Sequence, residues 1–123
     1  MLTIELPWPS ADLSPNARLH WGAKASAAKK AKNAAWGLTK AVMGATGLRV
    51  GSFTGPVDVQ ITFHPAIERG RDVDNFQARM KAALDGIASA LGVNDTTFRP
   101  VTTFGALRKP ACVIVTLTPQ VTA

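Results

Sequence analysis

Residues 22–45, GAKASAAKKAKNAAWGLTKAVMGA, form the longest stretch of a single periodicity in the chain. Ala28, Ala31, Ala35, Leu38 and Val42 recur at spacings of three and four, which puts them on one face of a helix. Lys29, Lys32, Trp36 and Lys40 fall on the opposite face. Gly37 and Gly44 weaken that helix by about 1 kcal/mol each relative to alanine. The flanking segments have a different period. TIELPW, residues 3–8, alternates and reads as a short strand stopped by Pro9. Residues 9–21, PSADLSPNARLHW, have loop chemistry.

After a loop over 47–56, VDVQITFH, residues 57–64, alternates as a strand. Residues 75–91 read as one second helix, with Phe76, Met80, Ala83, Leu84, Ile87 and Leu91 on its apolar face. Gly92 supplies a C-cap before the turn over 92–97. FRPVTTFG is a short strand that Pro100 confines to an edge or a bulge. ACVIVTLTP is the last and most apolar strand, and its closeness to FRPVTTFG predicts a hairpin. The order β-α-β-α-β-β predicts an α+β fold, a small mixed β-sheet with two helices packed on one face. With 123 residues and no internal repeat, residues 1–123 are expected to form a single domain.

Composition narrows the function classes. Hydrophobic residues make up 46% of the chain, which excludes a solvating, disordered tail. One cysteine, Cys112, excludes a disulfide framework or an intrachain zinc site, and its apolar surroundings make it a small buried hydrophobe. MLTIELPWP lacks the features of a signal peptide, and no stretch approaches about 20 apolar residues. A cytoplasmic protein with no membrane partner is expected. The net charge of +6 favours a polyanionic partner. Residues 1–55 carry seven Lys/Arg against Glu5 and Asp12, whereas residues 56–123 carry seven against six acids. A basic half with an acidic centre suits a metal-dependent nuclease, and suits a solvated surface equally.

The acidic centre lies in RGRDVDNFQARMK, residues 69–81. In an extended segment the side chains of Asp72 and Asp74 project to the same side. Two such carboxylates repel unless a cation sits between them, and Mg²⁺ takes only one or two carboxylates from a protein. Asp95, in VNDTT, joins them if the turn after the second helix folds back. Structural readings stand beside this one. Asp74-Asn75-Phe76-Gln77 matches a capping box, Asp72 is a candidate partner of Arg69 or Arg71, and Asn94-Asp95 is ordinary turn chemistry. Lys81 and Asp85, on one polar stripe with Asp74, form either a surface pair worth a few tenths of a kcal/mol or a lysine placed to stabilise charge on a phosphate.

Taken together, these residues resemble the RusA-type Holliday junction resolvases (crossover junction endodeoxyribonucleases), small endonucleases mostly of phage and prophage origin. The resemblance is carried by LPWPSADLSPNARLHW, RDVDN, KAALDGIASALGVND and the closing strand pair, in that order over nearly the whole chain. It implies a homodimer that acts in DNA recombination and repair at the nucleoid of a bacterial or phage-infected cell. Such a dimer cuts four-way junctions with Mg²⁺, for which Mn²⁺ substitutes, by paired symmetric nicks that leave 5′-phosphates. Asp72, Asp74 and Asp95 match the metal-binding carboxylates of the family, and Arg71 matches the basic residue before them.

Two positions depart from that pattern. Ala78 stands where the family has a lysine, and Lys81 follows three residues later. Three helical residues rotate about 300° and rise about 4.5 Å, so Lys81 stays near the same face. Asn94 stands where an acid is common beside the third aspartate. If DNA is bound, Asn16, Arg18, Lys29, Lys30, Lys32, Arg69, Arg71 and Lys81 are the expected contacts. Trp8 and Trp21 are expected to anchor the N-terminal loop on the core. Trp36, within a lysine stripe, is a candidate for a dimer contact, packing under lysine stems, or base stacking. Two other readings remain: a non-catalytic protein of the same fold that binds branched DNA, and a module whose basic helix binds an acidic protein. The last predicts DNA binding that does not weaken steeply with salt.

Overall fold

The structure is a computed structural model and describes residues 1–18, 20–68 and 72–120. The expected contacts of Arg69 and Arg71 therefore lie outside the described residues. In chain order the elements are β1 (Leu2–Pro7), α1 (Trp21–Thr46), β2 (Val57–His64), α2 (Val73–Arg79), α3 (Lys81–Leu91), β3 (Phe98–Phe104) and β4 (Cys112–Pro119). Single 3-10 turns form at Ala11–Leu13 and Asp95–Thr97.

The strands form one mixed sheet in the order β1-β4-β2-β3. β2 pairs in parallel with β3, and β4 lies antiparallel between β1 and β2. This is the expected α+β architecture. β1 alternates buried and exposed from Leu2 onward, so the sheet is half-buried and its helices cover one face. Ile4, Val59, Ile61, Val113, Val115 and Leu117 line that face and are at most 1% exposed.

Four details differ from the sequence reading. First, β3 and β4 do not form a hairpin. The connector after β3 crosses the end of β2 instead: Gly105 N–H donates to the Phe63 carbonyl at 2.8 Å, and Arg108 N–H to that of Pro65 at 2.9 Å. The most apolar strand thereby takes a central place, and β3, with Pro100, takes the edge.

Second, the helix predicted over 75–91 is two helices broken at Met80. That residue sits at φ −86°, ψ −5°, the bridge region. The predicted apolar face survives, because Phe76, Met80, Ala83, Ile87 and Leu91 are all buried.

Third, the buried ridge of α1 is Ala35, Thr39 and Met43, while Leu38 is 39% exposed. Thr39 is tolerated inside because its hydroxyl donates to the Ala35 carbonyl at 2.6 Å, within its own helix. Fourth, Trp21 does not anchor the loop: it is 77% exposed in the first turn of α1, behind His20. His20 caps that helix, its Nδ1 accepting from Gly22 N–H at 3.1 Å.

Trp8 does anchor. Its ring meets Phe63 at 5.6 Å and Phe76 at 5.4 Å, both edge-on. Phe104 completes the group, 5.5 Å from Phe63 and 5.7 Å from Phe76. These ring pairs, each worth about 0.5–1.5 kcal/mol beyond their burial, fasten the start of α2 to the sheet. Cys112 is buried and free, as expected.

Candidate functional site

α2 begins at the carboxylates singled out in the sequence. Asp72 is its N-cap, accepting from Asn75 N–H at 3.1 Å. The capping box offered as the alternative reading of Asp74 does not form. Asp74 is exposed in the first turn, and Gln77 instead accepts from the Thr102 hydroxyl at 2.7 Å, tying α2 to β3. Asp72→Ala is expected to cost about 1 kcal/mol of stability and Asp74→Ala much less, measured by denaturant unfolding. Equal losses would overturn the capping assignment.

The second group forms around Lys81, the first residue of α3. Its ammonium donates to Asp85 Oδ1 at 3.3 Å and to Asp95 Oδ2 at 3.2 Å. Asp85 lies one turn along α3, so that contact follows from helix spacing. Asp95 is 14 residues away and is returned by the turn after Gly92, whose φ of 72° reverses the chain. Asn94 shapes this return: its side chain accepts from Thr96 N–H at 3.0 Å. The lysine is open to solvent, its side chain 73% exposed, with Asp85 at 34% and Asp95 at 38%.

Lys81 and Asp95 are both displaced from their ordinary ionisation. Hydrogen bonding with Asp95, then with Asp85, raises Lys81 above the ordinary lysine value of 10.5. Hydrogen bonding with Asp85, then with Lys81, holds the Asp95 carboxyl below its ordinary 3.8. Asp85 is thus a member of the site that sequence reading treated only as a surface partner of the lysine. The K-x-x-x-D spacing was the available signal.

The structure brings Lys81 and Asp95 together but does not gather Asp72, Asp74 and Asp95. Among the described residues no group of three His, Cys, Asp or Glu side chains that could hold a metal ion forms. The Asp72 carboxylate is engaged in its cap, and that of Asp95 in the lysine. The Asp85 and Asp95 carboxylates converge instead on the Lys81 ammonium.

Asn75 joins α2 to the N-terminal loop. Its Nδ2 donates to Ser14 Oγ at 2.8 Å, and its Oδ1 accepts from Arg79 Nε at 3.1 Å. The Arg79 guanidinium also lies over the Phe76 ring, 4.4 Å from its centroid. The Ser14 contact was not foreseen, because Ser14 and Asn75 are 61 residues apart.

The expected DNA contacts that are described all reach solvent. Asn16 and Arg18 are exposed ahead of α1, and Lys29, Lys30 and Lys32 are exposed along it. Trp36 is 45% exposed, with the Lys40 ammonium 5.7 Å from its ring centroid. Among the described residues no helix is long and apolar enough to cross a membrane.

No family model matches the chain. It is similar to a protein of Xylella fastidiosa (strain Temecula1) described as an uncharacterized protein, with 43% identity over 98 residues. The match covers 80% of this chain and 63% of the relative, so the chain spans less than two thirds of the relative's length.

Proposed function

We propose that this chain is a structure-selective endodeoxyribonuclease of the RusA type. On this reading it acts on branched DNA in the cytoplasm, and as a homodimer cuts four-way junctions by paired symmetric nicks. The observation that carries the reading is the Lys81–Asp85–Asp95 cluster. A lysine that stands three residues beyond the family position still meets the acid that follows the helix. The basic α1 and the loop carrying Asn16 and Arg18 supply phosphate-binding surface, consistent with the net charge of +6.

Lys81 has two tasks. It holds Asp85 and Asp95 in one place, and its raised pKa keeps it a full cation that meets charge developing on a phosphate. On this reading Asp95 and Asp85 would hold Mg²⁺, or Mn²⁺ in its place, once the Lys81 ammonium has moved from between them to the phosphate. Bound there, the ion would supply Lewis acidity and a more acidic water. Asp72 and Asp74, at the N-terminus of α2, are not part of this cluster.

The test is nicking of a synthetic four-way junction with Mg²⁺ or with chelator, native protein beside Asp95→Asn. Symmetric nicks leaving 5′-phosphates are expected. Chelator should abolish them, and the substitution should slow them by roughly a hundredfold or more. A second reading, a junction-binding protein that does not cut, is favoured by the missing three-carboxylate group among the described residues. Tight, salt-sensitive binding without nicks in either Mg²⁺ or Mn²⁺ would select it.

A further inference from the structure

A cavity of about 520 Å³ opens between the N-terminal loop, the first turns of α1 and the α2–α3 break. That volume is in the range of sites for small ligands. Its wall is mostly apolar, with Trp8, Pro9, Ala27, Ala31 and Met80 among its residues. The space exists because α1 presents alanines here, where larger side chains would meet the loop. Among the described residues its charged lining groups are Lys30, Arg79 and Asp12, two cations against one acid.

Arg79 is the informative one. Its Nε is taken by Asn75 and its plane is laid on Phe76, which fixes the guanidinium. Among the described residues its terminal nitrogens make no hydrogen bond. The ion pairs of the described residues are those of Lys81 with Asp85 and Asp95 and of Arg108 with Glu5, so neither Arg79 nor Lys30 is paired. A held guanidinium with free donors in the wall of an apolar cavity suits a ligand with a flat apolar body and an anionic oxygen group. A purely apolar occupant would strand Arg79 without water or partner, at a cost. Arg79 and Met80 immediately precede Lys81, so the cavity and the carboxylate cluster lie on either side of one break in the helix.

We propose that this cavity takes up a single nucleotide extruded from the DNA strand beside the phosphate to be cut. The base enters the Trp8–alanine wall, and its phosphate meets Arg79. A paired base cannot enter without unstacking, which costs least where pairing is already interrupted. The cavity would therefore contribute to the choice of a branch point over plain duplex. This inference rests on the nuclease reading above and extends it.

The experiment uses four-way junctions with 5-iodouracil at successive positions across the branch, bound at saturating protein in chelator, irradiated, and analysed by peptide mass spectrometry. One position next to the branch is expected to cross-link to the peptide carrying Trp8. Ala31→Trp, which fills the cavity, and Arg79→Gln, which removes the anion donor, should each lower that yield at least about tenfold at matched saturation. Circular dichroism confirms that the variants remain folded. A junction that is bound but cross-links to no cavity peptide at any position overturns the proposal and leaves the nuclease reading standing. A junction that is not bound at low salt overturns both.

Discussion

Gly86→Ala is expected to be the most damaging small substitution in this protein, lowering stability by roughly 3 kcal/mol and the melting midpoint by roughly 10 °C. A Cβ at Gly86 would collide with the backbone carbonyl oxygen of Lys32 and approach the carbonyl carbon and Cα of that residue to 3.1 and 3.2 Å. Backbone cannot swing aside as a flexible side-chain end does. Relief would require α1 and α3 to move apart along the contact that buries Ala35, Ile87 and Ala90. The control lies in the same pair of helices. At Gly37 an added Cβ meets nothing within 4 Å, so Gly37→Ala should stabilise the protein by about 0.5–1 kcal/mol. Thermal unfolding of the two variants beside the native chain checks both signs. A tolerated Gly86→Ala would mean that the helices are not in close contact at this crossing. Gly86 also bears on function, since it follows Asp85 and fixes α3 in the position from which Asp85 and Lys81 meet Asp95.

Lys81→Met should have the largest effect on activity. Junction cutting is expected to fall roughly 10²–10³-fold, the usual effect of removing one group that stabilises transition-state charge. The melting midpoint should hardly change, because the side chain is 73% exposed and exposed ion pairs contribute little. Parallel loss of cutting and of folded structure would reduce Lys81 to a structural residue.

The ionisation of the cluster fixes the pH behaviour. Lys81 has a raised folded-state pKa, so its stabilising contribution is full below the ordinary 10.5 and is lost as pH rises through the higher value. Asp95 has a lowered one, so its contribution is full above the ordinary 3.8 and is lost as pH falls through the lower value. Both groups are thus fully ionised throughout the neutral range. Neither should produce a limb in the cutting rate between roughly pH 6 and 9. Nuclear magnetic resonance titration of the Lys81 side chain checks this directly, with a midpoint above 10.5 expected. A midpoint below that value would mean that the ion pairs do not persist in solution.

The features set by near neighbours were legible in the sequence. The 3.6-residue period of α1 and the alternation of VDVQITFH predicted their boundaries to within a residue, since local geometry decides which side chains share a face. Gly92 was readable as a cap because few residues other than glycine take a positive φ readily. The K-x-x-x-D pair was readable because helix spacing alone brings it together.

Three features were decided only by the tertiary structure. QARMKAA consists of good helix formers, so nothing in it marks the break at Met80. The break arises because α2 is fastened by Phe76 and Gln77 to the sheet, whereas α3 is fastened by Gly86 to α1. β4 could have paired with β3 by proximity, yet it lies between β1 and β2, where an apolar strand pairs along both edges. The cap fell to Asp72 rather than Asp74 because the aromatic cluster sets where α2 begins. In each case a local pattern permitted several outcomes of similar energy, and contacts between residues far apart in sequence selected one.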